Sequence, residues 1–462
     1  LAARPCQRTA PNRPQMSAPS QYQPVSGLQP LLVDLFSRTA ATLFGLLLFI
    51  VTTISLLRTA VVPRALTSPV SDAVARSITG LHHLIARRRK TYVKQDSVLA
   101  WNGPLIIIGQ LLSWLLLYFA AYGLWIYGIG GVDLGDSFRE SGSSLFTLGF
   151  AHSTESGPTI LAFMAAATGP IVIALLIGFL PTVYNAYINR EADISLLAVS
   201  GGQPSWGPEL LARLTLNNQL GDIPTHMNAW TKWFGNLRLT HTTYPVLVQI
   251  RSASPFRHWV IASITALDAA SLQLSLTKTL PRAECTQVVI HGTQTLETLY
   301  AALTVRKKFF TKLPFVGRHL GAPIPESDAL IKMPGYQPGS VAVEQAASTD
   351  SARVFSAEAV HQISVGEKNG IRLSKEEFTT AVNMLKKSGY PVEVDLDTAW
   401  TQFSMSRVHY EYVAYQLAYI LNVLPAPWSG ERKSKFDTIW PTSSVDIYEE
   451  NTTQSDPPTG TF

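Results

Sequence analysis

Thr147-Leu148-Gly149-Phe150 brings a hydroxyl and several backbone carbonyls together in one short run, and Ala151 adds another carbonyl. Consecutive carbonyls aimed at a common axis can replace the water shell of a monovalent cation. Such a run must alternate between right- and left-handed backbone, and Gly149 supplies the left-handed residue without a steric cost. Phe150 is placed to brace the run against neighbouring walls. The residues before it, Phe138 to Phe146, predict a short re-entrant helix whose C-terminal end offers partial negative charge to a cation. His152 follows at the expected outer mouth, where an imidazole would make cation access pH-dependent. An exposed loop histidine with no role is the plainer reading of that position.

The elements that must hold this run are legible from charge. Thr39–Leu57, Ser97–Val132 and Ser156–Asn189 contain no charged residue. A spanning helix needs about 20 apolar residues, so each run qualifies as a membrane span. Uncharged runs this long do not suit the core helices of a soluble enzyme. The second span is expected over 104–129 and the third over 159–187. Gly169, Pro170, Gly178 and Pro181 interrupt the third, and proline removes an intrahelical hydrogen bond. Kinks near 170 and 181 follow, serving as hinges or as fixed bends for packing.

Between the first two spans, Arg58, Arg64, Arg76, Arg87, Arg88, Arg89, Lys90 and Lys94 face only Asp72 and Asp96. The positive-inside rule makes that stretch cytoplasmic, sets the 133–155 loop outside and returns the chain inside from Arg190. Residues 71–94 read as an amphipathic helix able to lie in the inner interface and attract anionic lipid, or as a solvated basic linker. His82 and His83 are adjacent and so point to different faces of a helix, which does not suit a metal site. Helices are expected over 206–220, 257–278, 292–309, 374–388 and 396–422. Trp400, Phe403, Arg407, Tyr410, Ala414 and Leu417 share one face of the last, where Arg407 pairs with Glu411.

The layout of 101–190 resembles the two-transmembrane pore-loop potassium channel superfamily, in a bacterial, actinobacterial-type form with a divergent filter. The likeness rests on an outer helix, the 138–146 pore helix, Thr147-Leu148-Gly149-Phe150 and an inner helix. It implies four subunits around one pore, with Thr147, Leu148, Gly149, Phe150 and Ala151 as the ion filter and His152 at the pore mouth. The family signature reads Thr-aliphatic-Gly-aromatic-Gly, then Asp, with a second Thr in front. Here Ala151, His152 and Phe146 occupy those three positions. A left-handed Ala151 would cost about 1–2 kcal/mol per subunit, which predicts a distorted outermost ion site.

The expected fold is therefore an all-α membrane protein: an extra N-terminal span, a two-helix pore-loop module and a helical cytoplasmic domain. Its expected segments are a disordered 1–30 (with Met16 as the start), a first span at 31–62, a basic linker at 63–100 and the pore-loop module at 101–190. A helical domain at 191–320, a linker at 321–354, a helical unit at 355–428 and a disordered tail at 429–462 complete it. Cys6 and Cys285 offer neither metal nor disulfide spacing. Gly128-Ile129-Gly130-Gly131 lacks the strand–glycine–helix context of a phosphate loop. Asp268, Glu284, His291 and Glu297 look scattered, so no enzyme chemistry is expected. The basic excess follows from topology rather than nucleic-acid binding. The function expected is passage of monovalent cations, potassium foremost, by a homotetramer in the bacterial plasma membrane. It needs no cofactor beyond the permeant ion. The alternative is a non-conducting scaffold that binds a cytoplasmic partner.

Overall fold

The computed structural model describes residues 28–62, 68–311 and 371–446. The expected linker at 321–354, the start at Met16 and the ends of both tails lie outside those residues. The described chain is helical, with no strand among the described residues. In order come α1 (Leu28–Leu56), α2 (Pro69–Ala86), α3 (Tyr92–Leu99), α4 (Asn102–Ile129), α5 (Leu134–Leu145), α6 (Ser156–Gly201) and α7 (Gly207–Leu216). There follow α8 (Ile223–Thr243), α9 (Trp259–Leu276), α10 (Ala283–Thr311), α11 (Lys375–Lys387), α12 (Leu396–Arg407) and α13 (Glu411–Leu421). Four stretches among the described residues are long and apolar enough to cross a membrane: Leu32–Val61, Tyr92–Ile129, Ser156–Gly201 and Trp259–Leu276. The last is a different case, because 94% of it is buried inside the protein.

The chain forms two compact units, Leu1–Leu48 with Phe119–Ala165, and Phe49–Tyr118 with Ala166–Phe462. In the first, α1 lies against α4 at positions that tolerate no side chain. A Cβ on Gly45 would sit 2.8 Å from the Ala121 carbonyl, and one on Gly128 only 1.9 Å from the Thr42 hydroxyl. Small residues of this kind let two apolar helices approach backbone to backbone. Arg38 locks the same contact, donating to the Tyr127 carbonyl at 3.0 Å and stacking over the Tyr127 ring.

In the second unit the core is built around α9, whose residues Trp259 to Gln273 are all buried. Gly207 at the start of α7 and Gly292 on α10 both close tightly on α9. The α8 face Met227, Trp230, Trp233, Phe234 and Leu237 supplies much of the aromatic core. Three of the four buried arginines among the described residues tie flanking segments to this core. Arg190, on α6, donates to the Leu247 carbonyl at 3.0 Å and the Ile250 carbonyl at 2.9 Å. Arg251 reaches Asp96 on α3 at 2.6 Å and the Leu421 carbonyl at the end of α13. Arg432 gathers the carbonyls of Val423, Leu424 and Ser429.

Several expectations change here. The amphipathic stretch 71–94 is two helices, α2 and α3, separated by the Arg87–Thr91 turn. The expected helix over 396–422 is broken at 408–410 into α12 and α13. Between 429 and 446 the chain is anchored rather than loose. Ser429, Arg432 and Val445 are buried, and the Ser444 amide donates to Glu209 at 2.9 Å. α8 was not expected. α6 is one helix through Pro170 and Pro181 to Gly201, longer than the expected 159–187.

Candidate functional site

α5 is a polar helix with its buried side reversed from the usual pattern. Asp133 caps it by accepting from the Gly135 amide at 2.9 Å, and Asp136 sits in the first turn where the helix dipole favours an anion. Its buried residues are Ser137, Glu140, Ser141, Ser143 and Leu145. Ser141 donates to the Phe119 carbonyl at 2.8 Å, while Phe138 meets Phe119 edge-on and covers Gly123. These contacts fix the helix along α4 through hydrogen bonds as much as through apolar area.

The helix ends in a Schellman turn. Phe146 is the cap, Thr147 is left-handed with φ of 55°, and the Leu148 amide donates back to the Ser143 carbonyl at 2.7 Å. The Thr147 amide donates to Ser144 at 3.0 Å, completing the motif. Glycine normally fills the left-handed position, so a β-branched threonine there is strained. Two residues on, Gly149 is left-handed again, with φ of 72°. Leu148, Phe150 and Ala151 are not, so left-handed backbone alternates across 147–150. The expected cost at Ala151 is therefore not incurred: helix termination puts the left-handed non-glycine residue at Thr147.

Two buried side chains of α5 hold the returning segment. Ser143 accepts from the Ala151 amide at 2.9 Å, and Glu140 accepts from the Ser153 amide at 3.0 Å. Neither was expected to matter. The signal was present, since Ser137, Glu140, Ser141 and Ser143 cluster in a segment between two apolar helices. The Thr147 hydroxyl donates to the Phe146 carbonyl at 2.7 Å. Phe146, Leu148 and Phe150 are 48%, 63% and 60% exposed, so most of the Phe150 ring is left uncovered by the described residues. His152 is exposed.

The hinge residues divide. Gly169 is buried, while Pro170, Gly178 and Pro181 are exposed on α6. A Cβ on Gly178 would meet nothing within 4 Å, so no packing contact among the described residues requires glycine there.

A further cluster of charged groups lies deep in the second unit. Arg407 is fully buried and donates to Asp268, to Glu411 at 2.9 Å, to the Tyr415 hydroxyl at 3.0 Å and to the Trp428 carbonyl at 2.7 Å. Phe403, Tyr410, Tyr415 and Trp428 surround its guanidinium at 5.5–5.9 Å. Burial opposes its charge, but Asp268 and the neighbouring groups outweigh it and hold its pKa well above the ordinary value. The Arg407–Glu411 pair forms as expected, but across the α12–α13 break and with Asp268 as a further partner. With its guanidinium so fully engaged, this cluster serves the fold. Glu284, His291 and Glu297 lie on α10 outside it.

Comparisons with family models, with curated proteins and with solved structures find no match to this chain.

Proposed function

We propose that the chain is a multi-pass bacterial membrane protein of channel-like type. It assembles as a homotetramer around a path for monovalent cations, potassium foremost, and its helical C-terminal region lies in the cytoplasm. The observation that carries this reading is the return segment after α5. Left-handed residues at Thr147 and Gly149 flank Leu148, the alternation a carbonyl-lined path requires. Glu140 and Ser143 hold the segment from behind. Exposed Phe146, Leu148 and Phe150 supply apolar surface that neighbouring copies would cover. Irregular backbone between two apolar helices is tolerated where protein or a water-filled cavity surrounds it, which a ring of subunits provides.

A non-conducting scaffold is favoured by one detail, the Thr147 hydroxyl turned back onto Phe146 instead of being free as a ligand. Flux in liposomes decides between the two. Purified protein should pass potassium above empty vesicles, and Gly149→Val should abolish that flux. An intact tetramer that passes neither potassium nor sodium would leave the scaffold.

A further inference from the structure

A cavity of about 510 Å³ opens where α2, α3 and α4 meet. Its polar side carries Arg89, Lys94, Ser97 and His82, and its apolar side Ile85, Val98, Trp101 and Leu105. Arg89 and Lys94 are exposed, and among the described residues no carboxylate lies within ion-pair distance of either. The nearest acidic residue in sequence, Asp96, is buried and held by Arg251 at 2.6 Å. His82 is 9% exposed and engages Asn102 through Nδ1, which leaves its Nε2 without a partner among the described residues. The apolar side does not stop at the cavity. From Trp101 and Leu105 it continues along α4 through Ile108, Leu112 and Leu116, which are 50%, 60% and 64% exposed. Those positions are three or four residues apart and so share one helix face. From Trp101 to Leu116 the stripe is about 22 Å long at helical rise, longer than the roughly 15 Å of one membrane leaflet's hydrocarbon.

We infer that this cavity and stripe bind one anionic glycerophospholipid. The phosphate meets Arg89 and Lys94, His82 reaches the glycerol oxygens, the Ser97 hydroxyl, which itself donates to the Val93 carbonyl at 2.8 Å, accepts from a headgroup hydroxyl, and an acyl chain lies along α4. Trp101 stands at the boundary between the two, the level at which indole rings concentrate in membranes. The inference rests on the membrane placement proposed above and is independent of conduction. Charge complementarity selects this occupant. A zwitterionic lipid would carry its own ammonium to a site already holding two cations, and a free phosphate would leave the apolar stripe uncovered.

The test uses the full chain in neutral detergent, with phosphatidylglycerol and phosphatidylcholine offered together and retained lipid read by native mass spectrometry. Phosphatidylglycerol should be retained over phosphatidylcholine. Neutralising the cavity with Arg89→Gln plus Lys94→Gln should weaken retention by roughly thirtyfold, the effect of two basic residues near an anionic surface. Arg87→Gln plus Arg88→Gln, which removes equal charge outside the cavity, should retain the lipid. The charge-keeping pair Arg89→Lys plus Lys94→Arg should also retain it, separating lost binding from lost folding. Equal losses in the two glutamine pairs would reduce the site to a diffuse basic field and overturn the inference. So would equal retention of phosphatidylcholine, or displacement of the lipid by inorganic phosphate alone. A protein that holds phosphatidylglycerol yet passes no cation would end the conduction reading and leave this site standing.

Discussion

Replacing Arg407 by methionine should be among the most damaging single changes in the chain. Methionine fills much of the same volume, so the loss is mainly electrostatic. Glu411 keeps part of its support, because it also accepts from the Arg372 amide at 2.5 Å and the Leu373 amide at 3.3 Å. Among the described residues Asp268 keeps only the Tyr410 hydroxyl at 2.8 Å and has one oxygen with no partner. Breaking a buried pair by removing one member costs about 3–5 kcal/mol, against a total stability of about 5–15 kcal/mol for a typical domain. Most of that cost belongs to stranded Asp268. Adding Asp268→Leu to Arg407→Met should therefore recover a coupling of about 1–3 kcal/mol. Denaturant unfolding of the full chain in detergent, followed by tryptophan fluorescence, measures all three variants. A loss under about 1 kcal/mol for Arg407→Met, or strictly additive effects in the double variant, would refute the reasoning.

Gly149→Ala should cost about 1–2 kcal/mol per chain from backbone strain alone, since its Cβ would meet nothing within 4 Å. An unchanged thermal midpoint would show that the left-handed turn is not held. Gly128→Val should separate α1 from α4 and lower stability by at least about 1–3 kcal/mol. Gly221→Val, where a Cβ also meets open space, serves as the control for added bulk. Burial pushes the Glu297 carboxyl from the usual 4.5 up to about 7. Between those values the folded chain holds a proton that the unfolded chain has released. Stability should therefore fall as pH rises through that window, by about 3 kcal/mol in all. Glu297→Gln should flatten the slope and be the more stable protein at pH 8; parallel curves for the two would count against it.

Long uncharged runs made α1, α4 and α6 plain in the sequence, because little else accounts for so many apolar residues without a charge. α9 and α11 fell within two residues of their expected limits, the latter framed by a Ser374–Glu377 capping box. α8 was missed although its apolar residues recur every three or four positions. Its histidines and threonines dilute the pattern, and Pro224 occupies its first turn, where the missing amide costs no intrahelical bond. The break between α12 and α13 had no local cause to read. It lets Arg407 and Tyr410 converge on Asp268, more than a hundred residues earlier in the chain. In the tail, residues 429–446 are anchored by few groups, Ser429, Arg432 and Val445, which serine- and proline-rich composition conceals. At the site, the position of Thr147–Phe150 after a short helix was legible. The polar cluster that holds Glu140 and Ser143 was visible there, but not its targets, the amides that return thirteen residues after Glu140 and eight after Ser143.

The continuity of α6 has a consequence for how this protein can change length. Within the second unit, one helix carries Phe179 and Val183 in one apolar cluster, then Arg190 at its anchor, then Ile194 and Leu197 in the main core. All must keep a fixed rotational phase, because each residue turns the helix by about 100°. One residue inserted between Val183 and Arg190 would swing every downstream contact to another azimuth, whereas seven would return the phase to within about 20°. Length variation in this stretch should therefore be quantised in near-whole turns, much as gear teeth permit only certain settings.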